Sequence, residues 1–145
     1  MGLTGCASTG NVPQAGTNFT LDGCAPLLNC VSSESDTGMY HVDPIALREP
    51  LTPDTWDRIV DVALTLPGAT LKESRYGYAR ITCYSEVFNF PDYLEILVTD
   101  DGRHLAVRSQ SQFGLYDLGV NRSRVEKLRK ALIDQKLATI TSTES

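Results

Sequence analysis

The chain has little with which to hold a metal. Its only two histidines, His41 and His104, lie far apart, and none of its four cysteines forms a C-x-x-C pair, so the ligand spacing of a zinc site is absent. It also lacks a run near the ~20 apolar residues of a membrane-crossing helix. A charged segment followed by about 7–15 apolar residues, the mark of a complete signal peptide, is missing too. Basic residues are not in excess. The net charge of −5 argues against a general nucleic-acid binder, which needs cations to displace counterions from phosphate. No internal repeat is present, and nothing implies a cofactor.

What is present fits one globular domain. The 145 residues are 41% hydrophobic and 21% charged, and a chain of this length buries enough surface to fold without a metal or a disulfide. Charge is uneven: residues 1–102 sum to −9 and residues 103–145 to +4. The basic end is either the solvated face of a last helix or a docking patch for an anionic partner or headgroup.

The start suggests export. "LTGC", residues 3–6, resembles a bacterial lipobox, which makes Cys6 a candidate lipidation site. The small, polar, Gly- and Pro-containing stretch after it reads as a flexible tether over residues 1–20. Residues 21–138 then form the domain, and 139–145 a disordered tail. Cys24 and Cys30 bracket a short loop with a proline, so a local disulfide is expected if the compartment oxidises. Cys83 sits inside an alternating segment and reads as a small buried hydrophobe.

Periodicity gives an α+β fold. Residues 21–40 read as irregular. Segment 40–47 could hold a short edge strand, with Pro44 keeping it from the sheet centre. Thr52 is an N-cap, Pro53 suits the first helical position and Asp54 the positive helix end. Trp56, Ile59, Val60, Ala63 and Leu64 make one apolar stripe, and "LPGA" at 66–69 stops the helix. Strands are expected at 70–74, 76–84, 93–99 and 104–109, with "DDG" at 100–102 as a hairpin turn. In the second, Ala79, Ile81 and Cys83 face one way and Tyr76, Tyr78, Arg80, Thr82 and Tyr84 the other. A last helix over 122–137 turns Val125, Leu128 and Leu132 inward and Arg124, Lys127, Arg129 and Lys130 outward. The order strand, helix, four strands, helix predicts an antiparallel sheet of about five strands with both helices on one face.

The segments "NCVSS" (29–33), "FNFPDYLEI" (88–96) and "VRSQSQFGLYDLGVNRSRV" (107–125) resemble the family called domain of unknown function 1499, across roughly residues 24–135. The resemblance implies a bacterial exported or membrane-associated protein and no particular activity. The chain departs from the family pattern at Tyr93, Gln112 and Tyr116, where an aspartate, an arginine and a small polar residue are usual, which weakens an enzyme reading.

The polar run 109–128 is the main candidate site. As structure, Asn121 or Ser123 caps the last helix, with Ser123 and Glu126 at capping-box spacing. Asp117 holds a turn, Gly114 and Gly119 allow positive φ, and Arg108 or Arg122 pairs with Asp92 or Asp117. As a site, Arg108, Ser109, Ser111, Asp117, Asn121 and Arg122 would bind a carboxylate or phosphate. Nucleophilic catalysis would need Ser109 or Ser111 with His104 and Asp117, and no nucleophile elbow is present. A carboxylate pair drawn from Asp92, Glu95 and Asp117 has no distinguishing mark. The second candidate is a tyrosine face of Tyr76, Tyr78 and Tyr84 with Tyr93 and Leu97, either open to a partner or covered by residues 21–50.

The expectation is therefore a non-catalytic lipoprotein domain in the bacterial periplasm, anchored to the outer membrane only through its lipid. It would bind an envelope protein or component. The alternatives are a carrier of a small anionic or amphipathic ligand and, behind it, a serine hydrolase.

Overall fold

The computed structural model describes residues 20–24, 30–35, 38–84, 91–111 and 119–140. The lipobox, the proposed tether up to residue 19, Gly114, Asp117 and the end of the tail lie outside them.

The elements are β1 (Cys30–Ser32), β2 (Ile45–Ala46), α1 (Pro53–Ala63), β3 (Thr70–Arg75), β4 (Tyr78–Tyr84), β5 (Pro91–Val98), β6 (His104–Ser111) and α2 (Val120–Asp134). The six strands form one antiparallel sheet in the order β1-β6-β5-β4-β3, with β2 also on β6. The fold is α+β, with strand, helix, four strands and helix in sequence. β1 is an added strand, in a segment that reads as irregular. It pairs Cys30 with Gln110 and Ser32 with Arg108. Three residues are too short to show a period, so only the partner strand defines it.

Ala79, Ile81, Cys83, Leu94, Ile96, Leu105 and Val107 pack with Trp56, Ile59, Val60 and Ala63 of α1 and Val125, Leu128 and Leu132 of α2 in one buried cluster. Both helices thus cover the same sheet face. α1 starts as expected: the Thr52 side chain accepts from the Thr55 amide at 3.1 Å.

Four expectations change. Tyr76 is not in β4. Register pairs Arg75 with Tyr78, so Tyr76 and Gly77 form the hairpin tip, and Gly77 supplies the φ of +85° there. The last helix starts at Val120, with Gly119 at the N-cap (φ 80°) and no side-chain cap; Asn121 is turned into the interior and Glu126 bonds Arg129. That helix stops at Asp134 because Lys136 turns left-handed (φ 63°) and the Leu137 and Lys136 amides fold back on Leu132 and Ile133, a Schellman closure made without glycine. Arg124 and Arg129 are not solvated. Arg124 is 8% exposed, and Arg129 donates to the Asp43 and Pro44 carbonyls.

On the helix-free face, residues 20–24 form a strap. Leu21 joins Tyr78, Leu97 and Ala106 in a second small cluster. Ser32 Oγ donates to Asp22 O (2.8 Å), the Cys24 amide to Ser35 Oγ (3.0 Å) and Arg108 Nε to Gly23 O (3.4 Å). Ordering the strap backbone costs about 5–10 kcal/mol. Burying one leucine returns about 1.5–3 kcal/mol, and three hydrogen bonds about 0.5–1.5 kcal/mol each. At the midpoints of these ranges the contacts fall about 2 kcal/mol short. The disulfide between Cys24 and Cys30 adds about 2 kcal/mol for so short a loop, enough to close that gap.

Candidate functional site

β5 and β6 continue past the apolar core with polar residues on the same face. Asp92 precedes Leu94 and Ile96 at period two. Ser109 and Ser111 follow Leu105 and Val107. Register sets Asp92 opposite Ser111, and Cys83 opposite Asp92. α2 lies over this end and sends Asn121 and Arg124 down, three residues apart on one helix face.

The five polar side chains form a buried network. Arg124 Nη2 donates to Asp92 Oδ2 at 2.6 Å, and its Nη1 donates to Asn121 Oδ1 (2.7 Å) and Ser109 Oγ (3.0 Å). Ser109 Oγ donates to Asn121 Oδ1 at 2.7 Å, and Asn121 Nδ2 to Ser111 Oγ at 2.9 Å. Asp92 is 1% exposed, and Ser109 and Asn121 are fully enclosed. The second oxygen of Asp92 meets no donor among the described residues.

The network is ill-suited to nucleophilic catalysis. Ser109 donates to an amide oxygen and accepts from a guanidinium, which cannot take its proton. His104 stands at the far end of β6, on the other face, beside Asp101 (3.2 Å). Burial pushes the neighbouring Cys83 thiol up, against the pull of the Arg124 charge, so it stays protonated and poorly nucleophilic. Asp92 and Glu95 occupy opposite faces of β5 and make no carboxylate pair.

The two arginines proposed to bind an anion are engaged elsewhere. Arg122 donates to the backbone carbonyls of His41 (2.8 Å), Met39 (3.1 Å) and Gly38 (3.3 Å). Arg108 contacts Glu95 (3.5 Å), Gln110 and Gly23 on the helix-free face. Neither meets Asp92. Arg122 and Arg129, two turns apart on α2, clasp segment 38–44 by its carbonyls. Asp117 and Cys6 lie outside the described residues.

The tyrosines separate. Tyr78 is 2% exposed under Leu21, so it is no open contact. Its hydroxyl donates to Glu95 Oε2 at 2.7 Å, and burial, then that bond, raises its pKa. Tyr76 is exposed at the hairpin tip, and its hydroxyl reaches Leu51 O (3.1 Å). Tyr84 is 54% exposed on the helix-free face.

The residue that sequence reading missed is Arg124. Its signal was available: it stands three positions from Asn121 and four before the inward Leu128. No group of three metal-ligating side chains occurs among the described residues, and no described helix is long and apolar enough to cross a membrane. A family profile described as Protein of unknown function (DUF1499) matches residues 20–132. No curated protein matches the chain.

Proposed function

The chain belongs to the DUF1499 family, which carries no assigned activity, and on its geometry we propose a non-catalytic interaction domain of the bacterial cell envelope. It is held to the outer membrane by a lipid on Cys6 and binds an envelope protein or component through the helix-free sheet face around Tyr84. One observation carries this over the alternatives. The serines needed by a hydrolase and the arginines needed by an anion carrier are bonded inside the fold, whereas Tyr84 presents a rigid aromatic ring to solvent. The Cys24–Cys30 bridge supports an oxidising compartment.

The test is a photo-crosslinking amino acid placed at Tyr84 in living cells, with exposed Asp57 on α1 as control. A discrete product from position 84 and none from 57 is expected; equal or absent products at both sink the reading. Anchoring is tested separately. Radiolabelled palmitate is expected on the wild type and not on Cys6→Ser, and labelling of both would refute a lipid at Cys6.

A further inference from the structure

We propose that the Cys24–Cys30 bridge is a redox latch on the strap formed by residues 20–24, whose release uncovers an apolar patch of Tyr78, Leu97 and Ala106.

The two sulfurs belong to different parts of the fold. Cys30 is 4% exposed in β1, where register ties it to Gln110 of β6. It stays in the sheet whatever its oxidation state. Cys24 is the more exposed partner and ends a strap with one buried anchor, Leu21. The other ties are single hydrogen bonds through Asp22 O, Gly23 O and the Cys24 amide. Among the described residues the bridge is therefore the one cross-link on a segment whose other contacts do not by themselves offset its ordering.

Accessibility sets the direction of attack. A thiolate of a dithiol reductant attacks Cys24 Sγ, the S–S bond breaks, and Cys30 leaves as a thiolate that takes up a proton. The second thiol of the reductant then displaces Cys24 from the mixed disulfide. The protein gains two electrons and two protons, and the reductant becomes a disulfide. With the strap free, Leu21 leaves Tyr78, Leu97 and Ala106, which are 2%, 5% and 4% exposed when it is closed. Arg108 loses Gly23 O but keeps Glu95. The main core lies on the other sheet face and contains none of these residues, so opening need not unfold it. The inference does not depend on what binds near Tyr84.

Hydrogen exchange of the full chain, read by mass spectrometry, tests it. A Cys6→Ser background keeps Cys6 from exchanging with the bridge, and the oxidised and dithiothreitol-reduced states are compared. Reduction is expected to speed exchange in residues 20–24 by about tenfold or more, while α1 and β5 change by less than about twofold. Cys24→Ser should reproduce the reduced pattern without reductant. Unchanged protection of 20–24 after reduction would overturn the latch, because the strap would then hold itself. Loss of protection in α1 and β5 together with the strap would also overturn it, because the bridge would then be a staple for the whole domain.

Discussion

The two faces of the sheet each carry an arginine–carboxylate pair, and they differ in depth. On the helix-covered face, Arg124 and Asp92 meet at 2.6 Å with side chains 8% and 1% exposed. On the helix-free face, Arg108 and Glu95 meet at 3.5 Å, each 18% exposed. The first pair is enclosed by α2 and tied to Ser109 and Asn121. The second is one step in a cross-strand ladder that includes Glu73 and Arg80. The same chemistry therefore does two jobs. Enclosed, a charge pair is costly to form and far costlier to break singly, so it fixes how α2 docks on β5 and β6. Near water, it adds little energy and mainly keeps a sheet face polar.

The sharpest way to break the contrast is Asp92→Asn. It keeps the shape and strips the charge that compensates Arg124. A loss of about 3–5 kcal/mol is expected, a large part of the ~5–15 kcal/mol that holds a domain together. Urea denaturation measures it. A loss below about 1 kcal/mol would mean that water reaches the pair. The double change Asp92→Leu with Arg124→Met should recover much of the loss, since an apolar pair of similar volume removes the buried charge altogether.

Next in size is Tyr78→Phe, which removes the hydroxyl bonded to Glu95 on the helix-free face. About 1 kcal/mol is expected near neutral pH. The pH dependence identifies the cause. Burial, then the Glu95 bond, raises the Tyr78 pKa in the folded state. Above the ordinary tyrosine value of about 10, the unfolded chain loses this proton and the folded chain keeps it. Stability from the neutral hydroxyl is thus complete below about pH 10 and declines as pH rises beyond it. The wild type should lose stability faster than Tyr78→Phe between about pH 9 and pH 11. Parallel declines would show that Tyr78 is not the group responsible.

The same contrast explains which parts were legible in the sequence. On the covered face the inward positions of β4 recur at period two because that side meets two helices, so Ala79, Ile81 and Cys83 announce themselves by period. Thr52 and Pro53 mark a helix start that depends on no distant contact. The polar network was only half legible. Ser109, Ser111 and Asn121 stood out as a crowded polar run, but an arginine on a helix reads as solvated unless its partner is known. That partner, Asp92, lies 32 residues away in sequence. The local disulfide between Cys24 and Cys30 was legible, but β1 and the strap were not, because their order comes from β6 and from Tyr78, both distant in sequence. Tyr78 was placed on the correct face, but its cover, Leu21, arrives from the far end of the domain.

The smallest effect expected is that of Arg108→Gln, and salt makes it informative. The variant loses the Glu95 contact and the bond to Gly23 O, for about 0.2–1 kcal/mol. At about 1 M salt the screening length shrinks to about 3 Å, so an ion pair this near the surface should lose most of its attraction. The stability gap between wild type and Arg108→Gln is expected to narrow as salt rises, while the gap for Asp92→Asn stays constant, because ions do not enter the space between Arg124 and Asp92. Urea titrations of the three proteins at low and high salt read both gaps together. If both narrow alike, the two pairs share one environment and α2 does not seal its end of the sheet. If neither narrows, Arg108 acts through its packing and its backbone contact rather than its charge, and the polar ladder on the helix-free face is held by shape.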